Sequence, residues 1–147
     1  MTTLEPSQFI KAQQYGVLST HSLSESGYPF GSITPYIISN DGDIAILISH
    51  LAEHTHNIEA NPKVSLTIFD PNDSDNPSAG ARITCLANVT QADNEAELRK
   101  AYLHQFPESE IILELPGFHF YLLKLKKIRL VAGFGQVKWI DAKQLSF

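Results

Sequence analysis

Val64, Leu66 and Ile68 alternate with Ser65, Thr67 and Phe69. A period of two puts the three aliphatic side chains on one face and the rest on the other, the signature of a β-strand with one side turned to a core. The pattern recurs along the chain. Tyr15 to His21, Pro29 to Ser39, Ile44 to Ser49, Ala81 to Thr90, Phe118 to Leu125 and Ile128 to Trp139 also read as strands. Ser24-Glu25-Ser26-Gly27 turns the chain after the first of these, and Asn40-Asp41-Gly42-Asp43 is a hairpin signal. Gly133 and Gly135 allow a bend in the last strand.

Helical spacing is confined to a few junctions. Thr3, Pro6 and Phe9-Ile10 ahead of Gly16 predict a short opening helix with a cap, an early proline and a glycine stop. Leu51, Thr55 and Ile58 share a helical side until Asn61-Pro62 ends it. Asp93 caps a helix from Asn94 to about Gln105, with Glu95 and Glu97 near its positive end, and Pro107 opens a further turn closed by Pro116-Gly117. Asp70 to Ala79, rich in Pro, Asn, Asp and Ser, reads as an exposed loop. Many strands with few helices predict a mainly β fold, a six- to seven-stranded antiparallel barrel rather than a βαβ sandwich. At 147 residues, 1–147 is expected to be one domain.

Charge and composition remove several classes of function. With a net charge of −5 and basic residues scattered apart from Lys124-Leu125-Lys126-Lys127, nothing here could track a phosphate backbone, so no nucleic acid is expected. No run approaches the ~18 apolar residues of a membrane span. Cys85 is the single cysteine, and Met1-Thr2-Thr3-Leu4-Glu5 lacks both the basic start and the apolar run of a signal peptide, so the expected address is cytoplasmic. His50, His54 and His56 invite a metal reading, but no Cys or carboxylate set with ligand spacing joins them, and none is assigned.

The order of motifs is more specific than any one of them. Gly31-Ser32-Ile33-Thr34-Pro35-Tyr36 is followed by Ser49-His50-Leu51-Ala52-Glu53-His54-Thr55-His56-Asn57 and then by Ile58-Glu59-Ala60-Asn61-Pro62-Lys63-Val64-Ser65-Leu66. This series resembles the pyridoxamine 5'-phosphate oxidase-like, FMN-binding split barrel. Arg129-Leu130-Val131-Ala132-Gly133-Phe134-Gly135 ahead of Trp139 is similar to the haem-iron-utilisation (HugZ-like) branch of that superfamily.

The resemblance implies a homodimer with FMN in a groove between subunits and a small-molecule substrate. By motif match, Ser49, His54 and Thr55 would hold the FMN phosphate, Ile33, Thr34, Pro35 and Tyr36 would line the isoalloxazine edge with Ile48 beside it, Arg82 would contact the flavin, and Trp139 would approach from the partner. A helix N-terminus with hydroxyls and a histidine is a physically reasonable anion site. The chain also departs from the pattern. The oxidase's basic phosphate pair corresponds here to Glu53-His54, its C-terminal Arg and His cluster has no counterpart after Trp139, and no His follows His119. Genuine pyridoxamine phosphate oxidation is therefore not expected.

Plainer roles compete for the same residues. Ser49 is also a possible helix cap and Thr55 a solvated helix residue. Arg82 could pair with Asp70 or Asp73. Trp139, among Val137 and Ile140, could be core or interface packing, and is expected to be largely buried in either case. His119 points away from Phe118 and Phe120 as a structural histidine, and Cys85 shares a face with Ile83 and Ala87 as a core residue. No catalytic residue is assigned. Three functions stay open: an FMN-dependent oxidoreductase in which the cofactor carries the chemistry; a haem-binding or haem-degrading protein with an imidazole ligand; and a cofactor-free dimer that keeps the barrel for interaction.

Overall fold

The computed structural model describes residues 4–73, 75–133 and 135–147; Thr3 of the expected cap and Phe134 of the closing motif lie outside them. The described residues form strands β1 (Tyr15–His21), β2 (Pro29–Pro35), β3 (Ile37–Ile38), β4 (Ile44–Ser49), β5 (Lys63–Phe69), β6 (Arg82–Gln91), β7 (Phe118–Val131) and β8 (Val137–Asp141). Four helices accompany them: α1 (Pro6–Ala12), α2 (Glu53–Ala60), α3 (Glu95–Gln105) and α4 (Glu110–Glu114).

All eight strands join one antiparallel sheet in the order β2-β1-β5-β6-β7-β4-β3, with β8 added to β7. The path begins on β2 and ends on β3, and only Tyr36 separates these two in the chain. The sheet must therefore curl until its ends meet, as a split barrel does. The hinge is chemical. Pro35 has no N–H for a ladder, while Tyr36 donates its backbone N–H to Gln14 O at 3.0 Å and its hydroxyl to Ile10 O at 2.5 Å. What reads as one strand from Pro29 to Ser39 is thus bent into two.

Two further departures have equally local causes. Phe118 to Val131 is one strand, because a bulge opposite Leu86 and Ala87 absorbs the lysine run that looked like a break. The chain then turns through Gly135, at φ 79°, with Ala132 N–H donating to Gln136 O at 2.8 Å. Helix α3 starts at Glu95 with Asn94 as its N-cap and no side-chain cap bond, so Asp93 does not cap it. Glu95 instead accepts from Phe120 N–H at 3.1 Å and tethers α3 to β7. In α1 the cap is Glu5, which accepts from Ser7 N–H at 3.3 Å and Gln8 N–H at 2.8 Å.

The alternation in β5 is realised as read: Val64, Leu66 and Ile68 are buried in the barrel with Leu18, Ile83, Cys85, Ile128 and Leu130. Each such aliphatic burial contributes roughly 1.5–3 kcal/mol. Strand β4 is buried on both faces, which accounts for its unbroken apolar run. Ile44, Ile46 and Ile48 enter the barrel, while Ala45 and Leu47 meet Leu98 and Tyr102 of α3 and Leu113 of α4. The helices thereby cover one sector of the sheet's outer surface. Among the described residues no helix is long and apolar enough to cross a membrane.

Candidate functional site

The uncovered sector, from β2 through β1, β5 and β6 to the second half of β7 and β8, forms an open face. Register fixes what it displays. Ile33 pairs with Val17, Val17 with Thr67, Thr67 with Thr84, Thr84 with Arg129 and Arg129 with Trp139, so one row of outward side chains crosses six strands. Ile33 is 75% exposed and Trp139 49% exposed. Trp139 is therefore not a core residue of the single chain: Arg129, its cross-strand partner, faces away from the core residues Ile128 and Leu130, and Trp139 shares that outer side, where only a partner or a ligand would bury it. Lys127 Nζ lies 4.6 Å and the Arg129 guanidinium 5.4 Å from the Trp139 ring centroid. Such contacts contribute about 0.5–1 kcal/mol at exposed sites. Thr67 and Thr84 put hydroxyls 3.3 Å apart at the centre of the row. The result is a broad apolar and hydroxyl floor with cations along one margin, suited to a flat ligand that carries negative charge.

A second group gathers at the foot of α2. Thr55 is 0% exposed and donates its hydroxyl to Ser49 O at 2.5 Å, while Ser49 Oγ accepts from Leu51 N–H at 3.2 Å. The Thr55 hydroxyl proton is therefore committed to a backbone carbonyl, whereas Ser49 accepts from the backbone and keeps its own proton to donate, and Thr55 is no solvated helix residue. Glu53 places a carboxylate in the first helical turn and accepts from the Ser24 hydroxyl at 3.0 Å. His54 Nδ1 lies 3.3 Å from Ser32 Oγ, and its buried Nε2 has no partner among the described residues. Burial holds the His54 imidazole below its ordinary pKa of 6.5, which makes it neutral at pH 7. A neutral imidazole beside a carboxylate is a poor match for a dianionic phosphate.

A model of the family described as CREG, beta-barrel matches residues 7–146. The chain belongs to the CREG beta-barrel family. Among relatives of this CREG-type chain, the chloroplastic non-canonical haem oxygenase HOZ of Arabidopsis thaliana is 36% identical over 121 residues, spanning 80% of the chain but 36% of HOZ. The haem oxygenase HutZ of Vibrio cholerae is 29% identical over 148 residues, 97% of the chain and 84% of HutZ. The crystal structure of HutZ superposes with a TM-score of 0.69, covering 91% of this chain and 98% of that one. Campylobacter jejuni ChuZ has the same fold, with a TM-score of 0.84 at 22% identity over 97% of this chain and 62% of ChuZ. The resemblance to the split barrel and its haem-utilisation branch is thereby shown.

The CREG-type fold distributes the ten residues singled out from sequence over three places. Ile33, Arg82 and Trp139 belong to the open face, although the Arg82 guanidinium turns to Ser78 O at 2.9 Å and Gly80 O at 3.4 Å and pairs with neither Asp70 nor Asp73. Ser49, His54 and Thr55 form the foot of α2. Thr34, Tyr36 and Ile48 are buried, and Pro35 sits at the bend; burial raises the Tyr36 phenol's pKa well above its ordinary value. Val17, Thr67, Thr84, Lys127 and Arg129 complete the face and were not singled out. Period two says that Thr67 points away from Leu66; only the register says that it meets Val17 and Thr84. Among the described residues no group of three His, Cys, Asp or Glu side chains could hold a metal ion.

Proposed function

We propose that this chain is a haem-binding protein of the haem-oxygenase kind, and that the open face is where haem lies. The observation that carries the reading is the cross-strand row from Ile33 to Trp139, with Arg129 and Lys127 at its margin. Its residues fit a porphyrin. Val17, Ile33 and Trp139 would take the apolar ring, with Thr67 and Thr84 beneath it and the positive charge of Arg129 and Lys127 beside it. His21 is the histidine that the register puts on this face, opposite Pro29, and we assign it to the iron. Bound haem would supply the redox chemistry, and the protein would supply docking, orientation and exclusion of water. The names of HOZ and HutZ support the same reading.

An FMN-dependent oxidoreductase is the weaker reading, because the phosphate cradle it needs contains Glu53, a neutral His54 and a Thr55 hydroxyl already donated to the backbone. A cofactor-free role leaves the cationic margin of the open face without a purpose. We further propose a homodimer, since Tyr15, Ile33, Val137 and Trp139 leave an exposed apolar patch of a kind that association covers.

Titration of the protein with haemin and with FMN tests the reading. Haemin should give an intense Soret band and raise the melting temperature, as any ligand of the native state does, and His21→Ala should shift or remove that band. FMN should keep its free fluorescence. Quenched FMN together with a haemin spectrum unchanged from buffer would reverse the choice.

A further inference from the structure

The open face has chemically different ends. Toward Tyr15 lies a cavity of about 340 Å³ lined by Tyr15, Val17, Ile33 and Phe69, with no charged residue in its lining. Toward the opposite end lies one of about 400 Å³ lined by Ser19, His21, Lys63, Ser65 and Lys126, with no carboxylate in its lining. The fold puts both lysines there for identifiable reasons. Lys63 faces out because Val64 faces in, and Lys126 belongs to the stretch of β7 that bulges opposite Leu86 and Ala87. Neither lysine has an ion-pair partner among the described residues, whereas Lys124 is bound to Asp43 and Arg99 to Glu114. In a chain with 16 carboxylates and 11 Lys and Arg, two unpaired ammonium groups beside two serine hydroxyls in one hollow are not accounted for by the fold. They are suited to receive carboxylates.

Haem is itself polarised, with two propionates along one edge and apolar substituents elsewhere. We infer that the Lys63 and Lys126 hollow receives the propionates of haem on the open face and so sets which way round it lies. This assignment rests on the haem-binding reading. The uncharged cavity at Tyr15 then takes the opposite, apolar edge. Two exposed pairs should together be worth roughly tenfold in affinity, about 1.4 kcal/mol.

Soret titrations with haemin and with haemin dimethyl ester, which has no free carboxylate, test the assignment. The parent should bind haemin about tenfold more tightly than the ester. In Lys63→Met/Lys126→Met that preference should fall to near one with the ester affinity unchanged, while the equal charge change in Lys100→Met/Lys143→Met, away from the hollow, should keep it. A preference retained in the Lys63/Lys126 variant, or absent from the parent, overturns the assignment alone. A parent that binds neither porphyrin overturns the haem reading and this assignment with it.

Discussion

His54 is held in the fold as a neutral imidazole, since burial lowers its pKa below 6.5. The unfolded chain binds that proton more readily, so the His54 contribution is fully present above about pH 6.5 and is lost as pH falls toward the folded value. We expect His54→Gln to flatten the fall in urea midpoint between pH 7.5 and pH 5; an unchanged slope would mean that the ring is not shielded. Gly117 is constrained differently. At φ 87° it sits where L residues are strained, and a Cβ there would lie 2.0 Å from His50 Nδ1. Gly117→Ala should destabilise by about 2 kcal/mol or more, and adding His50→Ala should recover only the contact part, leaving the roughly 1–2 kcal/mol backbone cost. Chemical denaturation of the two variants checks both values. Neither property was legible in the sequence. Pro116-Gly117 announced a stop, but the His50 ring that closes over the glycine comes from the turn after β4, far away in the chain.

At the scale of elements, Asn57 makes the buried fastening of α2 to the β1–β2 hairpin, beside the Glu53–Ser24 and His54–Ser32 contacts. Asn57, fully buried, donates to Thr20 Oγ1 at 3.0 Å and accepts from Leu23 N–H at 2.9 Å. Asn57→Ala leaves Leu23 N–H without its acceptor and Thr20 Oγ1, which still donates to Phe30 O at 3.4 Å, without its donor, and should cost about 2–3 kcal/mol in urea unfolding. A loss under 0.5 kcal/mol would show that water replaces the amide. The boundaries of β1 and β4 were readable to the residue, because alternation or a continuous apolar run coincides there with burial. Three others were not. The bend at Tyr36, the bulge in β7 and the start of α3 at Glu95 go with hydrogen bonds to Gln14, to β6 and from Phe120, which no local pattern contains. The candidate site follows the same rule. The residues at the foot of α2 were found because they lie within one seven-residue stretch, Ser49 to Thr55, whereas the open face is assembled from six strands, and its row exists only once they are paired.

For the whole molecule, the exposed apolar patch of the open face predicts self-association. Light scattering coupled to size exclusion should give twice the 16.3 kDa chain mass at micromolar concentration, and a mass of one chain would remove the dimer. Carboxylates introduced into the row from Ile33 to Trp139 would repel a haem that lies on the open face. Haemin should be titrated into the parent and into Thr84→Glu/Arg129→Glu, with circular dichroism confirming an intact fold. Haem on the open face entails at least a tenfold weaker Kd, read from the Soret band, in the variant. A variant that stays folded and binds haemin with the parent's affinity would contradict it.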